Sequence, residues 1–158
     1  MIKELWTLVK MLFASRPSDY AYRNLEVVEM KHFPFKGYKA LAWCGKIIHR
    51  EGGGEVSDTT MTHEMIHVVQ AMACNDSWTR YYLAYFWEWI RRGFLSPMSA
   101  NYYVSKFESE AYANEDSPNY LKYYLPFNVE KYTIKNAKKV WREVGGSPEK
   151  WKAFVKTL

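Results

Sequence analysis

The chain has 158 residues, a length that suits one domain and buries enough surface to fold without a metal or disulfide staple. Hydrophobic residues make up 48% and charged residues 25%, which excludes a mainly disordered chain. The balance of 22 basic against 17 acidic residues leaves +5, which by itself gives only weak attraction to anions. The excess lies in the aromatics, 18% of the chain, with 13 Tyr against 10 Leu. Tyr and Trp carry polar tips that seek partners when buried, so such a core is either hydrogen-bonded together or opens onto a binding surface.

The elements follow in chain order. Ile2, Leu5, Leu8, Val9 and Leu12 recur at helical spacing, and Lys3 and Lys10 interrupt any stretch of signal-peptide length. An amphipathic helix in a soluble, cytoplasmic protein is expected. The aromatic run at 81–87 is too short to span a bilayer, so no membrane partner is expected. From Leu25 to His49 the pattern turns strand-like, and two strands separated by little more than Gly45 suggest a hairpin. Gly52, Gly53 and Gly54 form a loop, and Ser57, Asp58 and Thr59 are good caps for a helix running to about Cys74.

A second helix is expected over about 78–92, ended by Gly93, with a stripe of Trp78, Tyr81, Tyr82, Tyr85, Phe86 and Trp89. Ser96-Pro97 opens another helical stretch, Ser105 caps one that Pro118 stops, and Gly145-Gly146 closes a helix before Ser147-Pro148-Glu149 opens the last. Cys44 and Cys74 are expected as buried free thiols. The expected fold is α+β and helix-dominated, with a small N-terminal antiparallel sheet packed on a central helix.

The chemistry concentrates in His63-Glu64-Met65-Ile66-His67, an H-E-x-x-H motif. Positions i and i+4 share one helix face, about 6 Å apart along the axis, so two imidazoles can converge on one tetrahedral zinc. Glu64 stands between them, placed to reach a water on the metal as general base and proton shuttle. With 4 His and 13 Glu, shuffling gives this pattern in about 1% of chains, so context decides. Here the motif sits on an expected helix behind capping residues. The bland alternative is an amphipathic helix with two solvent-facing histidines.

A catalytic zinc takes a third protein ligand and keeps one position open. A third His six residues beyond His67 is excluded, because that position is Ala73. A downstream carboxylate is needed, and the candidates lie within 107–115. Here the sequence resembles the glutamate-ligand zinc peptidases (gluzincin-like), in which H-E-x-x-H is completed by a Glu on a later helix. Glu108-Ser109-Glu110-Ala111 matches the E-x-E-A form of the second motif, and Val68-Val69-Gln70 is similar to short bacterial and phage members. The resemblance implies a zincin-like metallopeptidase domain over 1–158, Zn2+ on His63, His67 and Glu108, and a peptide or protein substrate. Where the pattern has Asp four residues after the ligand, this chain has Tyr112; counted from Glu110, that place is Asn114. Glu110 therefore stays open as ligand, and Ser105 with Glu108 also fits a capping box.

The segment Tyr38–His49 offers a sheet edge for a substrate strand. Oxyanion-donor candidates are His49, Arg80, Tyr102, Tyr103 and Tyr112, while His32 is expected to take no part. The aromatic stripe is expected to pack behind the zinc helix, its hydroxyls orienting His63 or His67. Lys131, Lys135, Lys138 and Arg142 fall on one face of an expected helix, read as a solvated face; nucleic-acid binding is the weakest reading. The alternative to a peptidase is a non-catalytic domain on the same scaffold that binds a protein partner.

Overall fold

The structure, a computed structural model, describes residues 2–34, 38, 40–92, 100–117 and 119–158. Gly93, Ser96-Pro97 and Pro118, expected as helix boundaries, lie outside the described residues, as does Lys39 within the expected edge.

The hairpin forms where expected. Strands β2 (Ala40–Trp43) and β3 (Lys46–Arg50) pair antiparallel around Cys44 and Gly45. Both turn residues have positive φ, 48° and 78°, as a tight two-residue hairpin turn requires. Gly45 is also sterically fixed: a Cβ there would come within 2.1 Å of the Tyr20 ring.

Strand β1 (Glu26–Met30) corrects the expected antiparallel sheet. It pairs parallel to β3, so the sheet is mixed, in the order β1-β3-β2. The reason is topological: the third strand inserts between the first two, and a pairing between non-neighbours in sequence leaves no local signal.

The sheet is covered on both faces, because successive side chains point to opposite sides. Ile48 packs with Leu8, Met30 and Phe33 beneath α1 (Ile2–Ala14), whereas Ile47 joins Leu25, Cys44, Met65 and Val68 beneath α2 (Asp58–Ala73). The α1 helix forms as expected but turns its stripe outward: only Leu8 is buried, and Ile2, Leu5 and Val9 are exposed beside Trp6 and Phe13.

The central element is α2. Ser57 caps it, accepting a hydrogen bond from the Thr60 N–H at 3.2 Å, and nine consecutive residues, His63–Ala71, are buried. That helix packs against β2, α3 (Trp78–Arg91) and α5 (Lys106–Asn114). Ser77 and Ser105 cap α3 and α5, and the short α4 (Ala100–Tyr103) and α6 (Asn119–Lys122) flank α5 in the chain.

The C-terminal part adds a 3-10 turn at Asn128–Tyr132, α7 (Ala137–Glu143) and α8 (Pro148–Val155). Val104, Tyr112, Trp141 and Trp151 build a second cluster there. The expected basic helix face does not exist as one face, because Asn136 in the left-handed conformation (φ 52°) breaks 131–142 between the 3-10 turn and α7. Lys131, Lys135, Lys138 and Arg142 are all exposed. Cys44 is a buried free thiol and Cys74 a half-buried one. Among the described residues no helix is long and apolar enough to cross a membrane.

Candidate metal centre

Helix α2 sets His63 and His67 one turn apart on its buried face, ring centroids 5.0 Å apart and near-perpendicular at 80°. Helix α5 packs across them and brings in Glu108 from its first turn, 2% exposed. Glu108 Oε2 lies 3.4 Å from His63 Nε2, and Oε1 lies 3.3 Å from His67 Nε2. One ligand atom from each of the three side chains lies within 4.8 Å of the others, a buried His-His-Glu group that can hold a metal ion.

Glu108 and Glu110 differ in where each side chain goes, and only Glu108 joins the two histidines. Glu110, fully buried, turns away: Oε2 accepts from Gln70 Nε2 at 2.8 Å and Oε1 from the Tyr120 hydroxyl at 2.5 Å. Asn114, one turn on, donates to the Glu110 backbone carbonyl at 2.8 Å and to the Tyr132 hydroxyl at 2.9 Å. Nor does Glu108 complete a capping box. Ser105 Oγ accepts from the Phe107 N–H, while Glu108 Oε1 accepts from the Tyr85 hydroxyl at 2.7 Å.

The second nitrogen of each imidazole is tied down. His63 Nδ1 lies 3.0 Å from Glu115 Oε2, and His67 Nδ1 lies 2.8 Å from Gln70 Oε1 and 3.1 Å from the Tyr81 hydroxyl. Gln70 is itself oriented, since its Nε2 donates to the Phe107 carbonyl at 3.0 Å as well as to Glu110. With Nδ1–H donating outward, each Nε2 faces Glu108 and becomes available to a metal once its proton is lost.

The fit to a cation shows at one atom. Glu108 Oε2 is buried without a hydrogen bond, and the positive charge that such an oxygen needs comes from the His63 imidazole 3.4 Å away, a place that a metal cation can take. Burial pushes the His63 imidazole down, but Glu108 and Glu115 more than reverse this and hold it up at about 10. His67 rises too, with Glu108 outweighing burial. Burial pushes Glu108 up, yet the two imidazoles hold it well below the carboxylate range. The Tyr81 and Tyr85 phenols are pushed well above their ordinary value, first by burial, and so remain O–H donors.

Glu64 points to the hairpin. Its Oε2 accepts from the Ala42 N–H of β2 at 2.8 Å, which ties the motif helix to one of the two edge strands of the sheet. His63 and Glu64 line a cavity of about 270 Å³, together with Tyr38, Ala40, Thr60, Tyr102, Tyr103, Tyr112, Glu115 and Lys152. Three of the five oxyanion candidates, Tyr102, Tyr103 and Tyr112, are thus in the cleft. His49 is buried in β3 and Arg80 lies exposed on α3, and neither lines it. His32 pairs with Glu4 at 2.7 Å, away from this group. A larger hollow of about 550 Å³ on another face of α2, lined by Met61, Met65, Arg23 and Lys122, contains none of His63, His67 and Glu108.

Sequence reasoning gave no role to Lys152, quoted Gln70 only in the resemblance and had Glu115 only within the stretch of candidate carboxylates. Gln70 stands three residues after His67 and Glu115 seven after Glu108, both helical spacings that place them on the faces already singled out. Comparison with family models, with curated proteins and with solved structures finds no match.

Proposed function

We propose that the chain is a small zinc-dependent metallopeptidase of the glutamate-ligand type, with a zincin-like arrangement of sheet and motif helix. His63, His67 and Glu108 hold the metal, and Glu64 is the general base. The observation that carries this is the buried Glu108 carboxylate, 3.4 Å and 3.3 Å from two imidazole Nε2 atoms that are turned to the same point. Two nitrogens and one carboxylate oxygen are a catalytic-zinc donor set, with fewer ligands than a closed structural site uses. Zinc held there supplies Lewis acidity, polarising a carbonyl and lowering the pKa of water.

The rest falls to the chain itself. Glu64 Oε2 is anchored by the Ala42 N–H, which fixes the carboxylate and leaves Oε1 to take a proton from the attacking water and pass it to the leaving amine. Tyr38, Tyr102 and Tyr112 keep their protons, since burial pushes each phenol up, Tyr38 to about 12. They are the O–H donors in the cleft for a carbonyl oxygen gaining negative charge. Ala40 on β2 lines the same cleft, which suits a peptide laid along the strand.

The test is Glu64→Gln. It is expected to keep zinc and to lose peptide hydrolysis by about 10²–10⁴-fold, the usual contribution of a general base. One observation favours a non-catalytic, partner-binding scaffold: the Ala42 N–H makes Glu64 part of the packing between α2 and β2. A wild-type protein that holds zinc yet cleaves no peptide would decide for that reading, and undiminished turnover in Glu64→Gln would remove Glu64 from the mechanism.

A further inference from the structure

We propose that Lys152 is an anion-recognising residue of the cleft and that the ligand is a peptide bearing a carboxylate next to the carbonyl that faces His63 and Glu64. The carboxylate is either a free C-terminus or an Asp or Glu side chain. This deepens the metallopeptidase reading and rests on it for the hydrolysis, though not for the binding.

Lys152 belongs to α8, whose position is fixed by its neighbour Trp151. That indole is fully buried and donates to Ser109 Oγ on α5 at 3.3 Å. Lys152 is therefore presented by a docked helix. Its ammonium lies 4.0 Å from the centroid of the Tyr112 ring, and the same ring packs against His63 with centroids 4.6 Å apart. Lysine, ring and imidazole all line one cavity of about 270 Å³.

Charge pairing separates Lys152 from the next lysine on its helix face. Lys156, one turn on, meets Asp116 and lies 3.9 Å from Glu115 Oε1. Glu115 is further engaged by His63 at 3.0 Å. Among the described residues no ion pair claims Lys152, and the contact with Tyr112 orients the ammonium without neutralising it. Of the carboxylates in the lining, Glu115 is engaged by His63 and Lys156 and Glu64 by the Ala42 N–H, which leaves the half-buried Lys152 ammonium to an incoming anion. The cavity sits at the small end for ligand sites, with room for one or two residues, so an occupant that reaches His63 brings its next charged group to Lys152. A single ammonium among tyrosine hydroxyls, with Glu64 and Glu115 in the same lining, suits a singly charged carboxylate better than a doubly charged phosphate.

The test measures binding by calorimetry on zinc-supplemented Glu64→Gln protein, so that no probe is consumed. The probes are mixtures of N-acetylated tripeptides, one ending in a free carboxylate and one in the amide, and amidated mixtures carrying Asp or Asn at the last position. At least one acidic form is expected to bind about tenfold more tightly than its neutral counterpart. Lys152→Met should erase the difference and Lys152→Arg should retain it, each with unchanged circular dichroism. Preference for the free terminus marks cleavage near a chain end, and preference for Asp marks an internal acidic site. Equal affinity of acid and neutral forms, binding of neither, or a preference that survives Lys152→Met overturns the proposal. Wild-type hydrolysis of these peptides is read separately: cleavage without acid preference removes only the role of Lys152. Acid preference without cleavage removes only the peptidase.

Discussion

Glu108 and Glu110 are two residues apart on one helix, both buried, and only one of them meets the histidines. Two residues turn a helix by about 200°, so the sequence presents the pair as equals and the docking of α5 on α2 separates them. The histidine pair was legible because i, i+4 is a local relation; the partner of His63 was not. Tyr112 holds the place four residues after Glu108 and gives His63 a ring, while the carboxylate comes from Glu115, two turns along the same face. Tyr85→Phe and Glu115→Gln are expected to weaken zinc binding by about 10–100-fold each, measured by competition with a chromophoric chelator. Affinities within twofold of wild type would show that these contacts do not tune the site.

The imidazoles also set a sign for pH. With His63 raised from 6.5 to about 10 and His67 raised as well, the metal-free protein holds protons at pH 7 that a metal must displace. Binding should release at least one proton per metal and strengthen as pH rises. Without metal, the same protonated cluster stabilises the fold fully below about 6.5 and less as pH climbs toward 10. Calorimetry in buffers of different ionisation enthalpy reads the protons; no net release would contradict the assignment.

At the scale of elements, what the sequence announced was whatever a single segment decides. The hairpin was legible through Gly45, and α2, α5 and α8 through Ser57, Ser105 and Ser147, each of which caps its helix. The parallel pairing of β1 with β3 was not, since it depends on a strand that arrives later in the chain. The basic face over 131–142 failed for a related reason, a period counted across a break at Asn136. Helix α8 shows how one element carries another: Trp151 seals the second cluster and bonds α5, the helix that holds Glu108. Trp151→Ala is expected to cost about 3–5 kcal/mol in denaturant unfolding and to lower metal occupancy with it. A loss well under 1 kcal/mol would mean that α8 does not brace the site.

Across the molecule, the aromatic excess acquires a specific use. Three tyrosines of α3 send their hydroxyls to three different partners: Tyr81 to His67 on α2, Tyr82 to the Cys44 N–H of the hairpin turn at 3.0 Å, and Tyr85 to Glu108 on α5. Leu in those places would fill the same space and drop these bonds, at a cost of about 1 kcal/mol where another partner remains, as Gln70 does for His67, and about 1–3 kcal/mol where a buried group is left bare. Because the His63-His67-Glu108 group joins α2 to α5, an ion bound there would stabilise the assembled fold and not the unfolded chain. Zinc at a hundred times its Kd is worth about 2.7 kcal/mol, and the melting temperature should rise by about 5–10 °C and fall again with chelator.

The most direct measurement is metal content, by mass spectrometry of purified, zinc-supplemented protein, on wild type and on variants checked for folding by circular dichroism. About one zinc per chain is expected in wild type and in Glu110→Gln, and less than about a tenth of that in His63→Ala and Glu108→Ala. Folded wild type without zinc, or zinc retained in full by Glu108→Ala, would contradict a His63-His67-Glu108 centre.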